Sequence, residues 1–323
     1  MLRRQSFIRR LASRVSGVVM LGLVRAVFGF LRLLGPDRAS ALGGAVARTV
    51  GPLLGVHKVA MRNLRETFPD RPEAELKAIA RKAWENLGRT AAEYPHLAEI
   101  FDYNYDNPDP HGRIQVRGIE HFIALRDDGK PAILFSAHCA NWELPAICAA
   151  RYGLDLTAVF RAPNDPAVAR AVQEIRSQTM GGLEAARPGA AFAMMEALER
   201  GGHLGMLIDQ HFTRGVVTQF LGRPALTNPV MGKFARRFDC PVHGARVIRL
   251  NGARFLIELT PPVEMPRDEN GEIDVAGAMQ AMTDVVAGWV LEHPEQWLWM
   301  HRRWRPQFIR EQPKDAPEAG AAV

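Results

Sequence analysis

A neutral imidazole is the side chain best suited to taking a proton from an alcohol near neutral pH. His138 is placed to do so, and Glu143 follows five positions later. A carboxylate on the second ring nitrogen would fix the tautomer and stabilise the imidazolium that forms. The stretch from Ala132 to Glu143 begins with a short apolar run that reads as a buried strand. It delivers the histidine at its end, and a helix begins near Glu143. Strand ends that feed helix starts are where α/β proteins keep reactive groups. Glu143, about one helical turn beyond the strand, is therefore expected to reach back and orient His138. The same residues would also suit a histidine at a strand end and a glutamate favoured by a helix dipole. Spacing alone does not separate the two.

Several rival chemistries fit less well. The pattern is not the His-Glu-x-x-His of zinc peptidases, where both histidines share one helical face. No serine occupies a Gly-x-Ser-x-Gly elbow. Cys139 adjoins His138, but neighbours on a strand or turn point apart, which disfavours a thiol–histidine pair. Cys139, Cys148 and Cys240 form no CxxC pair. A disulfide framework or zinc site is not expected, and a reducing compartment is.

The elements that must position these groups follow from pattern. Apolar runs at Ile114–Arg117, Ala132–Ser136, Leu156–Phe160, residues 204–209, Val216–Phe220, residues 242–250 and residues 255–260 read as strands. Helices fit between them near 141–151, 165–180, 190–200, 228–238 and 275–292, with the last strands paired antiparallel through Asn251-Gly252. This alternation predicts an α/β fold with a mixed central sheet and helices on both faces. A helical lead-in occupies 37–100, with Asp70-Arg71-Pro72-Glu73 as a capping box opening one of its helices. Residues 101–112 read as a loop. The domain spans 37–310, and the Pro, Ala, Glu and Gly of 311–323 read as a disordered tail.

Residues 1–36 form a segment of different texture. Arg3, Arg10, Arg14, Arg25 and Arg32 fall near one line of a helix, opposite Val, Leu and Phe. Such a stripe suits a membrane-anchoring helix on an anionic bilayer. The arginines that precede the apolar run favour a cytoplasmic N-terminus. The net charge of +6 suits the same surface or a phosphorylated substrate. Nucleic acid is not expected as a partner, because no helix-turn-helix, zinc-finger or RNA-binding signature is visible.

His138-Cys139-Ala140-Asn141-Trp142-Glu143 resembles the His-x4-Glu/Asp signature of the bacterial lipid A biosynthesis acyltransferases, the late lauroyl/myristoyl enzymes. Further segments agree in order. Phe160-Arg161-Ala162-Pro163-Asn164 and the Arg of Ile175-Arg176-Ser177 are similar to family motifs. So are Gly205-Met206-Leu207-Ile208-Asp209-Gln210, Val217-Thr218-Gln219-Phe220-Leu221-Gly222 and the run from Pro294 to Trp304. Gly88-Arg89-Thr90-Ala91-Ala92-Glu93-Tyr94 resembles the alphaproteobacterial branch. Gln219-Phe220-Leu221 departs from the pattern where the family often has two aromatics.

The resemblance implies a glycerolipid-acyltransferase-like fold and acyl transfer from acyl carrier protein. The acceptor would be a hydroxyl of a 3-hydroxyacyl chain on a lipid A precursor of the Kdo2-lipid IVA type. No metal or redox cofactor is implied. His138 and Glu143 would be catalytic, with backbone N–H groups after His138 as oxyanion donors. Arg161 and Arg176 would bind phosphates or the phosphopantetheine arm, and Asp209 would pair with an arginine or position the acceptor. Asn141 would also lie at the substrate. The implied setting is the cytoplasmic face of the bacterial inner membrane, with anionic membrane lipids as partners. Other readings are an acyltransferase for a glycerolipid, ornithine lipid or phosphatidylinositol mannoside, a thioesterase, or a non-catalytic membrane-binding protein. His301, Arg302 and Arg303 with Trp297, Trp299 and Trp304 could be interfacial anchors or could close the core.

Overall fold

A computed structural model describes residues 2–161, 165–186, 189–305 and 307–308, with side chains from residue 19 onward. Residues 162–164 of the Phe160–Asn164 motif, the side chains of Arg3, Arg10 and Arg14 in the arginine stripe, and the whole tail 311–323 lie outside the described residues.

Helix α1 (Leu2–Val50) runs through the apolar N-terminal sequence and kinks at Gly35, whose φ of 73° and ψ of 165° interrupt the helix just before Pro36. Only glycine adopts that conformation without strain. A 3-10 turn (Gly51–Leu53) and α2 (His57–Thr67) lead to α3 (Glu73–Glu93). The capping box expected from Asp70 is not formed: Pro72 precedes the helix and no side chain caps it. Arg71 instead pairs with Glu75 one turn on. The second half of α1 lies against α3 at Gly43 and Gly88. A Cβ on Gly88 would stand 2.2 Å from the Gly43 carbonyl oxygen, so the two backbones could not approach with larger residues.

After α4 (Leu97–Ile100) and the predicted loop come β1 (Ile114–Arg117), α5 (Ile119–Asp127), β2 (Ala132–Ser136), α6 (Leu144–Arg151) and β3 (Leu156–Phe160). Then follow α7 (Pro166–Thr179), β4 (Gly182–Ala185), α8 (Ala190–Glu199) and β5 (His203–Leu207). A hairpin of β6 (Val216–Phe220) and β7 (Arg223–Thr227) precedes α9 (Val230–Phe238), β8 (Val242–Arg249), β9 (Phe255–Pro262) and α10 (Val275–Glu292). Seven strands form one mixed sheet in the order β1-β9-β8-β2-β5-β3-β4. Its pairs are parallel except β8–β9, the antiparallel pair read from Asn251-Gly252. The β6–β7 hairpin stands apart from this sheet.

Strand β2 is buried along its whole length, as a strand covered on both faces requires. Its alternate residues feed two cores. Ile133 and Phe135 join the one built with α3, α8, α9 and α10, and Leu134 joins the one built with α5 and α6. The register sets Ser136 of β2 beside Leu207 of β5. The residues two positions past each, His138 and Asp209, therefore emerge side by side at the carboxyl edge of the sheet.

Candidate active site

The carboxylate that holds His138 is Asp209, not Glu143. His138 Nδ1 lies 2.7 Å from Asp209 Oδ1, while the His138 backbone N–H donates to Oδ2 at 2.9 Å. The Trp297 indole N–H donates to the same Oδ2 at 2.8 Å. Burial by itself would raise the Asp209 carboxyl, but the His138 ring and these three donors hold it well below the usual carboxylate range. An ionised Asp209 only accepts, so Nδ1 carries a proton, and in a neutral ring Nε2 is then the acceptor. Gln210 places its amide nitrogen 3.1 Å from that Nε2. A hydroxyl to be deprotonated must occupy the position this amide now takes.

Glu143 faces a different partner. The Arg176 guanidinium binds it in a fork, Nη2 to Oε1 at 2.5 Å and Nε to Oε2 at 2.8 Å, and the Tyr94 hydroxyl donates to Oε1 at 2.6 Å. Burial, then the nearby Glu143 charge, pushes the Tyr94 phenol well above its ordinary value, so it remains a neutral donor. Burial opposes the Arg176 charge, but its bonds to Glu143 outweigh this and raise its pKa. Arg176 Nη1 is buried and meets no acceptor among the described residues. An orphaned guanidinium donor of this kind is costly unless something else uses it.

The chain between the two groups explains their divergence. Ala140 adopts φ of 49°, a left-handed conformation that costs a non-glycine residue about 1–3 kcal/mol. Its carbonyl accepts from Thr90 Oγ1 at 2.8 Å and from Asn86, and its N–H donates to Gln296 O at 3.0 Å. Asn141 is fully buried and donates to Glu93 Oε2 at 2.8 Å. It lines neither cavity described below. Glu93 is in turn held by Arg249 and Ser40. The turn pinned by these bonds sends His138 to one side and Glu143 to the other, with Trp142 between them. The Trp142 ring lies 5.1 Å from that of His138. Five backbone N–H groups, those of His138, Cys139, Ala140, Glu143 and Leu144, are engaged inside the protein.

Two cavities meet at Trp142. A chamber of about 770 Å³ is lined by His138, Gln210, His301 and four arginines, Arg161, Arg176, Arg214 and Arg305. No carboxylate is among its described lining residues. A narrower channel of about 120 Å³ runs beneath, against the sheet face of α5 and α6. Leu134, Cys148, Leu156 and Ala158 are among its walls, and Glu143, Arg176 and Glu258 are its only charged lining residues among those described. Trp142, Val159, Phe160, Arg176, Met206 and Leu207 line both. Cys139 is buried, and burial pushes its thiol far up, so it offers no nucleophile. No group of three or more His, Cys, Asp or Glu among the described residues has metal-holding geometry.

The C-terminal motif closes this site from below. Trp297 and Trp299 are buried in the core, as is Arg303, whereas Arg302 is exposed. Arg303 Nη1 donates to the carbonyls of Gln210 at 2.9 Å and Leu226 at 2.7 Å, and burial brings its pKa down to about 10. His301 Nε2 accepts the His211 N–H at 2.9 Å, so its proton sits on Nδ1. Trp297, Arg303 and His301 thus hold Asp209, Gln210 and His211 in turn. Gln210 and Tyr94 have no role assigned from sequence, although each lies inside a quoted motif, and Trp297, weighed as an interfacial anchor or a core residue, is in the core.

The α/β sheet thus carries a histidine–aspartate pair at its carboxyl edge, beside an arginine-lined chamber and an apolar channel. The family described as bacterial lipid A biosynthesis acyltransferase matches residues 8–306, and the chain belongs to it. The chain is 24% identical over 249 residues to the lipid A biosynthesis myristoyltransferase of Escherichia coli K12, covering 75% of this chain and 72% of that one. Lipid A biosynthesis acyltransferase 1 of Shigella flexneri is similar to the same extent.

Proposed function

We propose that this protein moves a fatty acyl group from an acyl carrier protein thioester to a hydroxyl of a 3-hydroxyacyl chain on a phosphorylated lipid A precursor. The observation that carries the reading is the state of His138: Nδ1–H is held by Asp209, and Nε2 opens on the chamber where it meets the channel. The acyl chain lies in the channel, and the acceptor, whose phosphates suit the arginines, lies in the chamber. The thioester carbonyl then sits at the shared walls near Trp142 and Arg176.

The acceptor hydroxyl displaces the Gln210 amide and gives its proton to His138 Nε2. Its oxygen bonds to the carbonyl carbon as the imidazolium forms, stabilised by Asp209. The oxyanion accepts from Arg176 Nη1, which Glu143 and Tyr94 hold in place. Collapse breaks the carbon–sulfur bond, and the leaving thiolate takes the proton back from His138. Glu143 therefore serves the reaction through Arg176, while Asp209 performs the role expected of Glu143. Acyl carrier protein is cytosolic, so this reading puts the domain on the cytoplasmic face of the inner membrane.

The test is to incubate purified protein with acyl carrier thioester and separate acceptors and to analyse the lipid by mass spectrometry. Acylation of a lipid A precursor, abolished in His138→Ala, is the expected result. Transfer only to a glycerolipid or ornithine lipid would replace the acceptor, and acceptor-independent release of free fatty acid would make the protein a thioesterase.

A further inference from the structure

The apolar stripe of α1 does not end at the Gly35 kink. Before it, Val19, Leu23, Phe30 and Leu33 are exposed, Leu33 by 86%. Beyond it, Leu42, Val46 and Val50 follow at four-residue spacing and are exposed by 40–54%, with Ala41 and Ala45 exposed beside them. Residues this far apart line one face of a helix. Thr49 is the polar exception on this face, and its hydroxyl donates to the Ala45 carbonyl at 2.9 Å. Leu53, exposed by 83%, and then Leu54 and Val56 carry the apolar surface into the next turn.

The opposite face of the same segment is fixed to the domain. Ser40 donates to the buried Glu93 at 2.7 Å, and Gly43 lies against Gly88. The apolar stretch Val19–Leu53, from α1 through the 3-10 turn, is 35 residues, roughly 50 Å of helix against a hydrocarbon core of about 30 Å. It is too long to cross straight, and its second half is tied to α3. That half can meet lipid only along its side.

The charge on this surface has one sign. No Asp or Glu occurs between Asp37 and Glu66, whereas Arg38, Arg48, Lys58, Arg62 and Arg65 do. All five are exposed. Arg48 and Arg65 are paired with Glu85 and Glu73 of α3, which leaves Arg38, Lys58 and Arg62 to face anionic headgroups.

We propose that residues 41–56 form a second lipid-contacting surface, seated in the interface of an anionic bilayer and continuous with α1 before the kink. The domain itself, and not only its leading helix, then rests on the membrane. The two surfaces bear on the site through different contacts. Arg25 of the first half pairs with Glu174 on α7, the helix that carries Arg176, at 2.8 Å. The second half packs on α3, which ends in Glu93 and is followed by Tyr94. The proposal does not depend on the acyl-transfer chemistry, and its failure would leave the His138 reading standing.

The three native cysteines are buried, so an environment-sensitive fluorophore can be directed to a single introduced cysteine. The full chain is labelled at Leu23→Cys, Val46→Cys, Leu53→Cys or, as an exposed control, Glu269→Cys. Each is bound to vesicles of phosphatidylglycerol and phosphatidylethanolamine carrying chain-attached quenchers. Blue-shifted, quenched emission at 46 and 53 as at 23, with 269 unchanged, is expected. Water-like emission at 46 and 53 on vesicle-bound protein would overturn the proposal. So would a shift that follows protein concentration without vesicles, which would mean that a second copy covers the face. The full chain with L42E, V46E and V50E together should melt as the parent does and bind the vesicles at least about tenfold more weakly. Unchanged binding by that folded variant would also overturn it.

Discussion

Two buried carboxylates stand on either side of Trp142, and they do different work. Asp209 faces an imidazole, a ring able to gain a proton and lose it again, and the donors around it favour its ionised form. Glu143 faces a guanidinium that never gives up its proton, in a fork completed by Tyr94. The first pair can cycle, and the second can only hold a shape. A five-residue spacing in the chain does not separate these roles, because the partner of each carboxylate comes from elsewhere in the fold.

The largest effect expected from this contrast belongs to the ring. His138→Ala should lower turnover by about 10²–10⁴-fold and also lower the melting temperature, because the buried Asp209 loses its ring partner. Asp209→Asn should also lose turnover, because an amide carbonyl no longer enforces one tautomer as a charged carboxylate does. Nitrogen NMR of labelled His138 checks that directly. A His138 that keeps its proton on Nδ1 in the Asn variant, with normal turnover, would remove Asp209 from the mechanism.

The second carboxylate should respond differently. Arg176→Met is expected to cost about 10²-fold in turnover through loss of the oxyanion donor, with the His138 tautomer unaltered. Glu143→Gln leaves the guanidinium buried beside a neutral amide. Breaking such a pair destabilises by about 3–5 kcal/mol, so its loss should register in denaturant melts as well as in rate. A Glu143→Gln enzyme that retained stability but lost the His138 tautomer would restore the direct His–Glu contact that the geometry denies.

A smaller effect should separate the two cavities. Ala158 lines the channel and not the chamber. Ala158→Leu adds three carbon atoms to the wall, at about 0.8 kcal/mol per methylene of acyl chain displaced. Competition between carrier thioesters of different length should shift several-fold toward the shorter chain, with the affinity for acceptor unchanged. A shift in acceptor affinity instead would place the fatty chain elsewhere.

Much of this arrangement was legible in the chain. The apolar runs at Ala132–Ser136 and residues 204–209 marked β2 and β5, and an acid such as Asp209 at the end of a buried strand is costly without a partner. What could not be read was that β5 is inserted beside β2, ahead of β3, which brings Asp209 to His138. Strand order arises from crossovers among many elements, and local pattern does not encode it. β7 was missed because Pro224 argues against a strand, and its place in a separate two-stranded hairpin makes that proline tolerable. β4 is only four residues long. α5, nine residues long, follows Gly118, whose φ of 76° turns the chain sharply into it. Arg303 was expected outside the core. Its guanidinium is buried because backbone carbonyls of two segments, rather than a carboxylate, accept its hydrogens.

The smallest expected effect lies on the chamber wall beside the Asp209 dyad. Burial brings the His301 pKa down to about 4 from 6.5, with Arg303 and Arg305 adding to the fall and Asp209 opposing it. As pH falls, the unfolded chain takes up this proton first. The stability that His301 contributes is therefore complete above about pH 6.5, declines between 6.5 and about 4, and levels off below that. The part lost is at most about 3 kcal/mol. His301→Gln keeps a side chain able to accept the His211 N–H but cannot titrate. Denaturant melts at pH 7 and 4.5 should therefore show a smaller fall for the variant than for the parent. Other buried groups contribute equally to both chains, so the difference isolates His301. Equal falls would mean that His301 takes its proton as easily in the folded protein as in the unfolded one.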